Sequence, residues 1–271
     1  MRLLVRTWNL FHGNSVPTGR KAYLEEMVRL ASADRPDVVC LQELPVWALD
    51  ELGAWSGMTP VTDVAQRPRI GPFPSSAELG RVLTNLHHGL LRSAFTGQGN
   101  AILLRHELRV LDHDCVVLNP AEFRRAEART LGLDLRTRLA WRKERRVSQV
   151  VRLGHDGGTL VVGNLHATSH PTDRRLADAE VLRAAVYVDG FSQRDEPVLL
   201  CGDFNVSLRN SQTLAQLTDP EWGFTGARPK GVDHILVRGL RARQPKRWPD
   251  ERRRREGLLL SDHAPVEVEV E

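Results

Sequence analysis

The sequence predicts an α/β layered domain, and three observations predict it. Short apolar runs rich in Val, Leu and Ile recur along the chain, most of them bounded by Gly, Pro, Asn or Asp, as strands are. Several are apolar at nearly every position, which suits strands covered on both faces. Between them lie segments with the i, i+3, i+4 spacing of helices that bury one face, and mixing the two kinds of element gives a layered domain.

In chain order, the strands are expected at "RLLVRTW" (2–8), "DVVCLQ" (37–42), "AILLR" (101–105) and "VSQVVRL" (147–153). Four more follow at "TLVVGNL" (159–165), "PVLLCG" (197–202), "DHILV" (233–237) and "PVEVEV" (265–270). A helix is expected over residues 20–34, where Leu24, Met27, Val28 and Ala31 share a face. A second is expected over 172–191, with Thr172 or Asp173 as N-cap and Leu176, Ala179, Leu182, Ala185 and Val186 facing the core. Helical spacing over 75–95 is weaker. "GQGNAILL" leads into a strand-like run, so no G-x-G-x-x-G opens a helix, and neither Walker A nor G-x-S-x-G occurs.

The chain of 271 residues, 41% hydrophobic and 27% charged, is long enough for a sizeable core. Without a low-complexity stretch, a repeat or a linker, a single domain over residues 1–271 is expected. "MRLLVRTWNL" is interrupted by Arg6 and lacks a small-residue cleavage site, unlike a signal peptide. No apolar stretch is long enough for a membrane span. Cys40, Cys115 and Cys201 are an odd count without metal-type spacing, and two of them lie in apolar runs. A cytoplasmic protein with no obligate protein partner is the expectation.

Net charge is +4, a mild bias towards polyanions. Residues 122–146 hold nine Arg or Lys against four Asp or Glu, and residues 241–256 hold eight against three. Either cluster suits a solvated loop or a basic surface.

Polar residues stand where the apolar runs stop. Asn9 follows the first run and Glu43 the second; His166 follows "VVGNL", and Asp203 and Asn205 follow "VLLCG". Asp233 opens "DHILV", and Asp262 and His263 precede the last run. If the last two strands run antiparallel to the others, all eight gather at one edge. Singly each has a plain structural use: Asp203 and Asn205 suit an Asx turn, and "SDHAP" suits a turn closed by Pro265. Together they are a metal-binding and proton-moving set.

The motifs "TWNL", "LQE", "GNLH", "GDFN", "VDHILV" and "SDHAP" run in this order through nearly the whole chain. In this they resemble the endonuclease/exonuclease/phosphatase superfamily, which includes DNase I, exonuclease III-type AP endonucleases, neutral sphingomyelinases and inositol polyphosphate 5-phosphatases. "GDFN" followed by "SDH" is the most specific part. The resemblance implies a four-layer α/β sandwich, DNase I-like, of two packed mixed β-sheets flanked by helices. It also implies roles. Asn9, Glu43 and Asp262 would surround a divalent cation, and Mg²⁺, with Mn²⁺ substituting, suits oxygen ligands with retained waters. Asp203 and Asn205 would touch the scissile phosphate and the attacking water. His263 would act as general base or transition-state stabiliser, with Asp233 accepting its other ring proton. His166 would bind phosphate or protonate the leaving group. Arg146 is the candidate for an arginine that DNase I-like enzymes aim at a substrate phosphate, although a plain surface arginine is the alternative. His12 lies near the expected metal as a bystander.

The chemistry needs these residue types. A phosphodiester is anionic and repels hydroxide, so hydrolysis requires charge neutralisation and a positioned, deprotonated water. Ser261, Asp262 and His263 are consecutive, and adjacency of that kind is not a serine triad. Nucleic acid, DNA first, is the expected substrate, because the basic 241–256 segment enters directly before "SDH" and would offer Arg252 to Arg255 to a phosphate backbone. A lipid or small-molecule phosphoester is the alternative. The His166 pattern resembles DNase I or the sphingomyelinase branch; the latter would gain from an exposed apolar hairpin or docking aromatics, for which "RIGPFPSSAELG" (69–80), with one Phe and two prolines, is weak support.

Overall fold

Two parallel strand pairs organise the chain, one in each of two compact units. The computed structural model describes residues 2–70, 73–86, 96–155 and 157–271. The strands of its two larger sheets are β1 (Leu3–Asn9), β2 (Val38–Leu44), β3 (Thr59–Gln66), β4 (Gln98–Leu104), β5 (Arg109–Val117) and β6 (Val147–His155), then β7 (Gly158–His166), β8 (Val198–Asp203), β9 (Asp233–Arg238), β10 (Lys246–Arg247) and β11 (Val266–Val270). The helices are α1 (Leu24–Ser32), α2 (Leu52–Ser56), α3 (Ala77–Leu86), α4 (Ala121–Thr130), α5 (Leu135–Lys143), α6 (Arg175–Phe191) and α7 (Gln212–Leu217). The weaker helical spacing over 75–95 is met by α3 as far as Leu86, and its remainder lies outside the described residues.

The first unit comprises residues 1–108 and 243–271. Its six-stranded sheet runs in the order β10-β11-β1-β2-β4-β3. β1 and β2 are parallel, so the chain must cross over between them, and α1 makes that crossover. α1 buries Leu24, Met27, Val28 and Ala31, the face that the spacing predicts, against Trp8, Leu41 and Leu103. β11 runs antiparallel to β1 on its other side.

Arg6 is fully buried on β1, where a cation needs every donor satisfied. Its guanidinium donates to both oxygens of Asp34 at 2.8 Å and to Glu267 Oε2 at 2.6 Å, and lies 4.4 Å from the Trp248 ring centre. These hydrogen bonds hold the Asp34 carboxyl down at about 2. Arg252 stacks on Trp248 at 3.5 Å and donates to Asp34 at 2.9 Å. Arg253 is buried and gives its guanidinium to the carbonyls of Leu260 and Ser261 and to Asp250. The expectation that Arg252 to Arg255 all face a phosphate backbone is therefore corrected. Arg252 and Arg253 fasten the 248–261 segment to its own unit, and only Arg254 and Arg255 are exposed with no carboxylate on them among the described residues.

The second unit, residues 109–242, repeats the plan. Its five-stranded sheet runs β9-β8-β7-β6-β5, with β7 and β8 parallel and joined through α6, and β9 antiparallel to β8. α6 buries Leu176, Ala177, Val181, Ala184, Ala185 and Val188, so the face expected from Ala179, Leu182 and Val186 is turned by about one position. The helix is apolar on more than one side, and spacing alone does not choose between adjoining stripes. α4 and α5 are the larger surprise. Both are rich in arginine and lack an apolar stripe, so the composition reads as a charged loop. Asp134 caps α5, its side chain accepting Thr137 N–H at 2.7 Å.

Gly202, with φ +138°, lets β8 approach β7 so closely that a Cβ there would stand 1.9 Å from the Leu165 carbonyl oxygen. Gly202→Ala is expected to destabilise the protein by at least about 2 kcal/mol, read as a shifted urea midpoint at unchanged slope.

Candidate active site

Each unit places its polar residues at the carboxyl ends of its parallel strands, where the chain turns away and side chains are released from the ladder. In the first unit these are Asn9 and Glu43. Asn9 Nδ2 donates to Glu43 Oε1 at 3.1 Å, and Asn9 Oδ1 accepts Phe11 N–H at 2.9 Å. Glu43 has φ +55°, a conformation that costs about 1 kcal/mol or more in a non-glycine residue and here swings the carboxylate off the strand. His12, buried and at φ +54°, brings Nε2 to 3.5 Å from Glu43 Oε2. The residue read as a bystander is thus a neighbour of the proposed metal ligand.

The turn before β11 is bound to the same strand ends. Ser261, at φ +62°, donates its hydroxyl to the Asn9 carbonyl at 2.7 Å and accepts His263 N–H at 3.0 Å. Ser261 N–H donates to Asn14 O, and Trp8 Nε1–H to His263 O, both at 2.9 Å. Ser261 is thus a splint that fixes where Asp262 and His263 leave the backbone. Asp262 is exposed and His263 half-buried. Asn9, Glu43 and Asp262 offer hard carboxamide and carboxylate oxygens, which fits Mg²⁺ or Mn²⁺ by donor type.

In the second unit a row of polar residues crosses the end of the sheet. His166 pairs in register with Asp203, and Asp203 with Asp233, so the three side chains share a face. All three are buried, and His166 Nε2 lies 3.6 Å from Asp203 Oδ2. Asp203 Oδ1 accepts Asn205 N–H at 3.0 Å, so the Asx turn is real, and it leaves Oδ2 towards the histidine. Asn205, at φ +53°, donates Nδ2–H to Ala167 O at 2.9 Å.

Arg146 extends the row from the residue before β6. It is buried, not the plain surface arginine of the alternative reading, and its Nη1 stands 2.9 Å from both ring nitrogens of His166. Asn119 fixes its backbone, taking Arg146 N–H at Oδ1 and giving Nδ2–H to Glu144 O, each at 2.9 Å. Glu180 holds Thr168, two residues beyond His166. Its fully buried carboxylate accepts Trp141 Nε1–H and Thr168 N–H at 2.6 Å and Thr168 Oγ1–H at 2.7 Å, and burial pushes its pKa up. Sequence reasoning passed over Asn119, Glu180 and Ser261, whose roles depend on partners distant in sequence.

The loop after Asp203 is clamped by His234, whose Nε2–H donates to Val206 O at 2.9 Å while Nδ1 accepts Arg228 N–H at 3.1 Å. Phe204 meets its ring edge-on at 5.0 Å. Burial lowers the His234 pKa to about 4, keeping the imidazole neutral.

Two carboxylate sets at strand ends, one with histidine and arginine beside it, define the class of protein that hydrolyses phosphoesters with a metal. Residues 7–263 match the Endonuclease/Exonuclease/phosphatase family, and the chain belongs to it. Its members are metal-dependent phosphoester hydrolases, and this chain is one. No curated protein matches the chain by sequence. Among solved structures it is similar to an endonuclease/exonuclease/phosphatase from Bacteroides vulgatus (15% identity, 100% of this chain and 99% of that one, TM-score 0.66). It is also similar to the human Nocturnin catalytic domain with bound sulfate anion (13%, 100% and 93%, 0.66) and to TDP2 from C. elegans (15%, 100% and 75%, 0.60). These likenesses show the α/β, DNase I-like fold.

Two outcomes follow from this packing. Ser261→Ala removes one donor and one acceptor; it should cost about 1–2 kcal/mol of stability and lower phosphodiester turnover while His263 is still present. Below pH 6.5 the unfolded chain protonates at His234 before the folded one does. Stability should therefore be complete above that pH and fall by about 3 kcal/mol as pH drops towards 4, and His234→Asn should flatten that part of a urea-midpoint profile.

Proposed function

We propose that this protein is a Mg²⁺-dependent phosphodiesterase that cleaves nucleic acid, DNA first, with Mn²⁺ able to replace Mg²⁺. The observation that carries the reading is the register row Arg146, His166, Asp203 and Asp233, which puts cationic donors and carboxylates side by side at one sheet end. That set suits a tetrahedral oxyanion whose reaction also needs an oriented water. A solved protein of the same fold carries a sulfate anion, the size and charge of a phosphate.

In the proposed reaction water attacks phosphorus and the bond to the leaving oxygen breaks. Asp203 and Asn205 orient the water, the Asx turn holding Asn205 for that purpose. His263 takes the proton of the water, with Asp233 in the tautomer-fixing role read from the sequence. Arg146 binds a non-bridging phosphate oxygen, and His166 holds the phosphate or gives the leaving oxygen its proton. Asn9, Glu43 and Asp262 would hold the cation, which supplies charge neutralisation at the phosphoryl oxygens. A cytoplasmic setting suits the three free thiols.

One observation favours a second reading, a lipid phosphodiester. Arg69–Ile70 pairs with Phe73–Pro74, and Phe73 is 71% exposed with Ile70 beside it at 41%, an apolar tip of the kind that enters a membrane interface. No described helix is long and apolar enough to cross a membrane.

Purified protein should nick supercoiled plasmid with Mg²⁺ or Mn²⁺, not with EDTA, and His263→Ala should slow nicking at least about 100-fold. No nicking, with metal-dependent hydrolysis of bis-p-nitrophenyl phosphate intact, would move the substrate to lipid or small phosphoesters.

A further inference from the structure

The α4–α5 hairpin encloses a cavity of about 450 Å³ lined by Arg124, Arg125, Arg129, Arg138 and Arg142, with Trp141 as its apolar floor. Five guanidiniums around one concavity repel one another. Among the described residues none of the five has a carboxylate within ion-pair distance, as Arg146 has in Glu144. Two are tied down by backbone: Arg124 gives Nη1–H to Asn119 O, and Arg138 gives Nε–H to Leu133 O at 2.8 Å. Glu180, the buried carboxylate nearby, has its oxygens taken by Trp141 and Thr168. The Arg124 pKa is lowered, first by burial and then by the Arg142 charge. Glu180 and Glu122 offset part of that repulsion at Arg124, a ligand of opposite sign would relieve the rest, and planar guanidiniums fit phosphate oxygens in pairs.

The cavity is joined to the polar row at the sheet end. Asn119 accepts from Arg124 on its carbonyl and from the Arg146 backbone on its side chain, and α5 ends at Lys143, three residues before Arg146. A strand whose scissile phosphate meets Arg146 would carry its next phosphates towards α5.

We propose that this arginine cavity is a second phosphate subsite, which grips the backbone of a nucleic-acid strand beyond the scissile bond. The assignment rests on the nucleic-acid reading and gives it a substrate requirement: a polymer, held without regard to base sequence. A concave wall suits a chain of phosphates better than a flat bilayer, although Leu135 and Leu139 are exposed on α5, and that makes a lipid surface the competing outcome.

The test is fluorescence anisotropy with a labelled single strand of about 30 nucleotides, in EDTA so that binding is read without cleavage. Wild type is compared with the triple variant R125Q/R129Q/R142Q, all exposed positions outside the polar row. The variant should bind at least about tenfold more weakly, with a log–log salt slope shallower by about 2, because each phosphate contact contributes about 0.7. Its hydrolysis of bis-p-nitrophenyl phosphate should stay within about twofold of wild type, and Arg→Lys at the same positions, which keeps the charge and loses the fork, should keep the salt slope at reduced affinity. Equal affinity and equal slope would overturn the subsite, as would failure of wild type to bind the strand. Loss confined to binding of vesicles containing phosphatidylserine would overturn it in favour of a membrane surface. A strand bound by wild type and left intact when Mg²⁺ is added would refute the nuclease reading while leaving the subsite in place.

Discussion

Strand register is the constraint on which the rest depends. His166, Asp203 and Asp233 share a face only because β7, β8 and β9 pair with these residues opposite one another. A slip of one residue in β8 would turn Asp203 to the other face and leave His166 beside glycine or phenylalanine. Gly202 secures the register at close range, since β7 and β8 approach so tightly there that no side chain fits. The first unit meets the same need differently. Asn9 and Gln42 are paired in β1 and β2, and Glu43 leaves that alignment by adopting a positive φ.

Five of the eight non-glycine residues with positive φ among the described residues stand at these strand ends. Phe11, His12, Glu43, Asn205 and Ser261 all hold positive φ without being glycine, and each lies in or beside the polar sets. Every one is held by contacts that would be lost if it relaxed, such as Ser261 Oγ–H on Asn9 O and Asn205 Nδ2–H on Ala167 O. Side chains supported in this way are positioned before any substrate arrives, which is what electrostatic stabilisation of a phosphoryl transition state requires.

The α/β class was legible in the sequence because its strands are short, apolar and sharply bounded, and the polar sets because they stand at those boundaries. Asn9, His166 and Asp203 end strands where the runs stop, Glu43 stands one residue before the end of β2, and Asp233 opens β9. What escaped was carried by charge or by distant partners. α4 and α5 have arginines where an amphipathic helix would show an apolar stripe. α6 offers two adjoining apolar faces and buries Leu176 and Ala185 of the expected one together with Ala177, Val181, Ala184 and Val188 of the other. Arg252 and Arg253 read as a phosphate-binding run because nothing local reveals Trp248 and Asp34, or the carbonyls of Leu260 and Ser261, as their partners.

His166, Asp203 and Asp233, one row at the end of a single sheet, act together in the hydrolytic step we propose. A double-mutant cycle tests this most directly, with His166→Ala and Asp203→Asn measured singly and together on bis-p-nitrophenyl phosphate. Groups acting in one transition state are strongly non-additive, so each single change should lower kcat at least about 100-fold and the pair should fall little further. If either single variant turned over at the wild-type rate, or the two losses multiplied in full, the two residues would not belong to one catalytic step.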